Sequence, residues 1–109
     1  MGKVTIRYKE EVVDFLNQLV YDLYEREYFS YLESALNYKN EIINFIRLNI
    51  HIAPSKNIPP QLSHLGEKYI TFISNKRTAW YIFYIRKENR VLITYILNNH
   101  SEEAQWLVK

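Results

Sequence analysis

Two short polar breaks in the last third of the chain constrain the fold more than any other feature. The breaks, SNKR and RKEN, separate three runs that are rich in β-branched and aromatic residues, at 69–74, 78–86 and 90–97. Such residues favour strands, and breaks of this length connect neighbouring antiparallel strands. The pattern therefore predicts an antiparallel meander. Its central run, WYIFYI at 80–85, is apolar on both faces, which indicates a middle strand that is covered on both sides.

A strand and a helix are predicted at the start of the chain. Residues 3–8, KVTIRY, alternate between apolar and polar, as in a half-buried strand. Glu10 and Glu11 then suit the positive end of a helix dipole. The apolar residues that follow have helical spacing. They are Val12, Leu16, Leu19 and Leu23, with Val13, Val20 and Tyr24 beside them.

A second helix is predicted from Ser30, because Ser30 and Glu33 have the spacing of a capping box. It ends before the connector APSKNIPPQ at 53–61, which contains all three prolines. Its predicted apolar stripe consists of Leu32, Leu36, Ile43, Ile46 and Ile50. Since few residues join the two helices, they should form an antiparallel hairpin. The aromatic residues around its turn are predicted either to form a patch that binds a partner helix or to close the end of the core. They are Tyr24, Tyr28, Phe29 and Tyr31. The predicted fold class is α+β, in the order β-α-α-β-β-β, as a single domain over residues 1–109.

Composition narrows the class of protein. The chain has 109 residues, enough for one core, with 48% apolar and 24% charged residues, as in globular proteins. It has no cysteine, and its net charge of +2 is far below that of a dedicated DNA-binding domain. No apolar run reaches the roughly 20 residues of a membrane-spanning helix, and no signal peptide is recognisable. We therefore expect a cytoplasmic protein with no membrane association.

Polar residues are predicted to converge at one end of the meander. The last strand ends in Asn98, Asn99 and His100. In a meander this end lies beside the beginning of the preceding strand. The neighbours expected there are Lys76, Arg77 and Thr78, with Trp80 slightly further inside. The opposite end should collect only the charges of Arg86, Lys87 and Arg90.

The convergent end has the residue types that metal-independent RNA cleavage needs. Such cleavage requires a proton carrier and cations that stabilise charge on the phosphorus oxygens. Histidine can give or take a proton near neutral pH, so His100 is the candidate carrier. Arg77 could hold the phosphate in bidentate fashion, together with Lys76. Asn98, Asn99 and Trp80 are the further candidates for RNA contacts, with Trp80 stacking on a base.

Each of these residues also has a purely structural interpretation. A histidine after a strand is commonly a turn or capping residue, and aromatic residues in strands commonly belong to a core. The other histidines, His51 and His64, flank the connector without the spacing of metal ligands. Gly2 and Gly66 are the chain's only glycines, so no glycine-rich phosphate loop is present. We expect no metal and no cofactor.

The segment GEKYITFISNKRTAWYIFYIRKENRVLITYILNNH, residues 66–100, resembles the RelE/ParE superfamily of bacterial type II toxins. The order of predicted elements agrees with that family over nearly the whole chain. The resemblance implies the toxin of a toxin-antitoxin pair, with a cognate antitoxin protein as partner. RelE-like members cleave mRNA on the ribosome, whereas ParE-like members inhibit DNA gyrase without cutting RNA. His100 falls where several ribonuclease members carry a histidine or a tyrosine.

The chain also departs from the family pattern. Thr71 and Ile73 stand where RelE has lysines, and Ala79 or Trp80 stands where many ribonuclease members have an arginine. The resemblance therefore carries over only His100 as a catalytic residue. It leaves open an mRNA endonuclease, a non-catalytic gyrase inhibitor and an inactive member that serves as a protein-binding module. The sequence also leaves open whether the chain forms a homodimer.

Overall fold

The computed structural model describes residues 3–25 and 31–107. Two helices follow a short first strand, and the remaining strands form the second half of the chain. Two short 3-10 helices flank these later strands. In chain order the elements are β1 (Thr5–Tyr8), α1 (Glu10–Glu25), α2 (Leu32–Asn49), β2 (Lys56–Asn57), the first 3-10 helix (Pro60–Leu65), β3 (Lys68–Asn75), β4 (Thr78–Lys87), β5 (Arg90–Asn98) and the second 3-10 helix (Glu102–Trp106).

The strands form one five-stranded sheet in the order β1-β5-β4-β3-β2. Strands β3, β4 and β5 form the predicted antiparallel meander. The predicted α+β fold with a helix pair packed on an antiparallel sheet is confirmed, and the observed five-stranded sheet is mostly antiparallel. Two edges were not predicted. Strand β1 pairs parallel to β5, and the connector contributes the two-residue strand β2, which pairs antiparallel to β3.

The helix pair packs on one face of the sheet through a narrower stripe than the sequence predicted. Helix α1 buries Val12, Leu16 and Val20 as expected. Helix α2 buries Ala35, Ile42 and Ile46, followed by Ile50 just after its end. Leu32 and Leu36 were assigned wrongly to this stripe, since they are 43% and 42% exposed. Successive residues are about 100° apart around a helix, so Leu36 points away from the side that Ala35 presents to the core.

The opposite face of the sheet has its own apolar cluster, and this explains why β4 is apolar on both sides. The two 3-10 helices cover this face. Burial raises the pKa of the Tyr69 phenol, to which the neighbouring Tyr81 also contributes, and burial raises the pKa of Tyr81 as well. The buried members of this cluster, called the back-face cluster below, are Leu62, Leu65, Tyr69, Tyr81, Phe83, Leu97 and Ala104.

Ser30 of the predicted capping box lies outside the described residues. Tyr28 and Phe29 of the predicted aromatic patch at the helix turn lie outside them as well. Tyr31 takes the N-cap position of α2 and makes no side-chain capping hydrogen bond. Tyr24 and Tyr31, the other members of that patch, are exposed. No helix within the described residues has the length and apolar character needed to cross a membrane.

Candidate functional site

The end of β5 and the turn between β3 and β4 lie side by side at one end of the sheet. The register pairs Trp80 with Asn98, and Asn75 with Thr78 across the β3–β4 turn. Just beyond this register, His100 Nε2 lies 3.5 Å from Thr78 Oγ1, a distance at the long limit of a hydrogen bond. The structure thus brings the predicted residues to one end of the sheet. We call this end, with His100, Thr78 and the turn, the imidazole end.

Asn98 and Asn99 shape the imidazole end through hydrogen bonds to the backbone. Asn99 Oδ1 accepts from the Ala79 N–H at 2.9 Å, and Asn99 Nδ2 donates to the Arg77 carbonyl at 3.0 Å. Asn98 Oδ1 accepts from the His100 N–H at 2.9 Å and from Ser101 Oγ at 3.4 Å. Asn99 therefore continues the β4–β5 pairing by side-chain bonds, and Asn98 sets the turn that presents His100.

Replacing Asn99 with alanine should lower the free energy of unfolding by about 1–3 kcal/mol, because it leaves the partly buried Ala79 N–H without its acceptor. Urea denaturation measures this loss, and hydrogen exchange should show faster exchange at the Ala79 amide. Asn44→Ala, at an exposed position of α2, is the matched control and should change stability by less than about 0.5 kcal/mol. Equal stability of the two variants would contradict a structural role for the Asn99 amide.

The cations of the imidazole end come from the β3–β4 turn. Lys76 and Arg77 are exposed, and the Arg77 N–H donates to Asn75 Oδ1 at 2.8 Å, which closes the turn. Neither side chain forms an ion pair within the part of the chain that the structure describes. The Arg77 carbonyl is tied to Asn99, the residue that precedes His100. Two exposed cations thus lie on a turn that is hydrogen-bonded to the residue preceding the exposed imidazole.

Trp80 does not have the position that base stacking requires. The side chain is only 2% exposed and belongs to the core under the helices. Its Nε1–H donates to Tyr38 Oη at 2.8 Å, and Tyr38 Oη lies 3.0 Å from Ser74 Oγ. Ser74 Oγ in turn donates to the Thr78 carbonyl at 3.3 Å. Trp80 therefore helps to fasten α2 to the β3–β4 hairpin, and its burial contradicts the predicted stacking role.

Tyr38 and Ser74 are the residues that sequence reasoning missed. They support the carbonyl of Thr78, the residue whose hydroxyl faces His100. No local pattern singles them out, because the bond between them joins positions 36 residues apart. They are positioning residues, since they act on the imidazole end through the β3–β4 hairpin.

Thr71 and Ile73, the positions where the resemblance would lead one to expect lysines, lie on the face opposite the helices. Thr71 is half-buried there, and Ile73, opposite Ala79, is 71% exposed. This side of the imidazole end is therefore apolar. Beside it, an open depression is lined by Asn99, Ser101, Glu102, Ala104 and Gln105.

Within the described residues, no group of three or more histidine, cysteine, aspartate or glutamate side chains could hold a metal ion. Comparisons with protein-family models, with curated proteins and with solved structures found no match. The geometry of the imidazole end and the resemblance over residues 66–100 are therefore the basis for a functional proposal.

Proposed function

We propose that this chain is a RelE/ParE-like toxin of a bacterial type II toxin-antitoxin system that cleaves mRNA on the ribosome and thereby inhibits translation. The observation that carries the proposal is the exposed His100 imidazole, 3.5 Å from the Thr78 hydroxyl, beside a turn that bears Lys76 and Arg77. The fold agrees with what the resemblance implies. The toxin would act in the cytoplasm, where ribosomes lie, and a cognate antitoxin protein would restrain it.

The proposed reaction is attack of an RNA 2′-hydroxyl on the adjacent phosphorus. The new bond joins the 2′-oxygen to phosphorus, the bond to the 5′-oxygen breaks, and the products are a 2′,3′-cyclic phosphate and a 5′-hydroxyl. His100 would take the proton from the 2′-hydroxyl or give one to the leaving 5′-oxygen. Arg77 and Lys76 would stabilise charge on the non-bridging oxygens.

The test is an in vitro translation reaction that contains a defined mRNA and the purified protein, with the fragment ends mapped. We expect cleavage that needs ribosomes and leaves cyclic phosphate ends. His100→Ala should reduce the cleavage rate at least about 100-fold, in the range of a lost acid or base. His51→Ala is the matched control. It should cleave normally, because His51 is exposed and lies more than about 16 Å along the axis of α2 from Tyr38, which marks the imidazole end.

A second candidate function is supported by the apolar side of the imidazole end. An exposed Ile73 beside a half-buried Thr71 offers no charge to a phosphate, and such a surface suits a protein partner better. A non-catalytic inhibitor of DNA gyrase, or an inactive member that acts as a protein-binding module, would present this kind of surface. Intact mRNA together with inhibited gyrase supercoiling would favour the inhibitor. Normal supercoiling at saturating protein would exclude it.

A further inference from the structure

A basic groove lies on the face opposite the helices, at the other end of the sheet from His100. It encloses about 500 Å³ between β1, β5 and β4. Strand β4 runs ten residues, from Thr78 at the imidazole end to Lys87 at the groove, and this corresponds to about 30 Å. The residues that line the groove are Thr5, Arg7, Ile85, Lys87, Arg90, Val91 and Leu92.

The register of the sheet explains how the groove combines apolar and basic side chains. Leu92 lies between Arg7 on β1 and Ile85 on β4 in one row across the sheet. Two residues away along β5, Arg90 lies next to Lys87 in another row. The back-face cluster, with the 3-10 helices over it, leaves this end uncovered, and Ile85 is 37% exposed. The groove therefore has an apolar floor with cations on two sides.

The charges of the groove lack partners within the described residues. Arg7, Lys87 and Arg90 form no ion pair or hydrogen bond there through their side chains, and no acidic residue lines the groove. Lys87 and Arg90 face each other directly across the β4–β5 hairpin. Like charges at directly opposite positions destabilise a strand pair. A ligand that brings carboxylates to this end would remove that repulsion.

We propose that the groove binds an extended acidic segment of a partner protein. An apolar side chain of that segment would cover Ile85 and Leu92, and its carboxylates would reach Arg7 on one side and Arg90 with Lys87 on the other. The composition of the groove favours this occupant over two others. Single-stranded nucleic acid is held by aromatic stacking as well as by charge, and no aromatic ring lines the groove. A second copy of the chain would bring two sets of cations together.

The test uses a fluorescein-labelled decapeptide in which one isoleucine is flanked, two residues away on each side, by glutamates. Fluorescence anisotropy with the full-length protein should show saturable binding. Arg7→Gln combined with Arg90→Gln should weaken it at least tenfold. Arg47→Gln combined with Lys56→Gln should weaken it less than twofold. These control positions are exposed, lie outside the groove and remove the same net charge.

Further measurements decide between the occupants. Both double variants should retain the thermal melting temperature of the wild type within a few degrees, because all four side chains are exposed. A peptide with serine in place of isoleucine should bind at least fivefold more weakly.

Three results would overturn the proposal. The first is no peptide binding at 1 mM, and the second is equal weakening by the two double variants. The third is a single-stranded RNA octamer that binds more tightly than the peptide and loses that binding in the groove variant. A fourth result would also overturn the proposal: a dimer in sedimentation that dissociates in the groove variant would assign the groove to a second copy instead. Because His100 lies about 30 Å away, the His100→Ala variant should bind the peptide normally, so binding and cleavage can fail independently.

Discussion

Replacing Phe83 with alanine should lower the free energy of unfolding by about 3–5 kcal/mol, the range for truncating a buried phenylalanine. Phe83 has no exposed surface and lies in the middle of the back-face cluster. Its ring centroid lies 5.5 Å from that of Tyr69 and 6.4 Å from that of Tyr95. The loss would remove a large part of the roughly 5–15 kcal/mol that stabilises a typical domain. Urea denaturation followed by far-UV circular dichroism measures it.

Phe15→Ala is the control for this prediction. Phe15 is 38% exposed and contacts the core through an edge of Trp80, at a centroid distance of 6.2 Å. Removing the Phe15 ring leaves a smaller cavity than removing the Phe83 ring. The free energy of unfolding should therefore fall by less than about half as much, because the loss grows with the cavity that remains. A loss below about 1 kcal/mol for Phe83→Ala would show that the 3-10 helices do not form a tightly packed layer over the sheet.

Gly66→Ala should lower the free energy of unfolding by about 1–3 kcal/mol, as expected for an added methyl group in a packed site. A Cβ atom at Gly66 would lie 2.7 Å from Thr94 Oγ1 and 3.3 Å from both the N and the O of Tyr84. Thr94 Oγ1 cannot move away freely, because it donates a hydrogen bond to the Leu65 carbonyl. Glycine is thus required at position 66 because the chain just before β3 passes close to Thr94 and Tyr84. At Thr94 the pairing of β5 with β4 is irregular.

A double-mutant cycle with Thr94→Ala checks this explanation. Thr94→Ala removes the atom that would clash and should cost about 1 kcal/mol through the lost hydrogen bond. The double variant should then be more stable than the sum of the two single losses predicts, by at least about 0.5 kcal/mol, because neighbouring sites couple. Additive losses would mean that the strain from the new methyl group falls on the Tyr84 backbone instead.

The structure separates two polar surfaces at opposite ends of one sheet. The imidazole end has His100, the Thr78 hydroxyl and the cations of the β3–β4 turn. The groove end has cations around an apolar floor and no histidine. Cores on both faces of β4 fix the distance between the two ends. A partner that occupies the groove therefore does not by itself cover His100, and a complete block of the imidazole end would need a second segment.

Much of the fold could be predicted from local patterns. Helical spacing placed α1 and most of α2, and short polar breaks between β-rich runs placed β3, β4 and β5 within one residue of their observed bounds. The meander then placed His100 beside Thr78, because antiparallel neighbours bring the end of one strand to the beginning of the other. It also placed Arg86, Lys87 and Arg90 together at the far end.

The sequence by itself determined the order of elements and the end of the sheet at which each polar residue lies, since periodicity and turn length are local properties. Only the tertiary structure decided how those residues are used. It buried Trp80 under the helices, engaged Asn99 in backbone bonds, paired β1 parallel to β5 and left the groove uncovered. Each of these outcomes depends on contacts between residues that are far apart in the chain, and local pattern does not specify which distant surfaces meet.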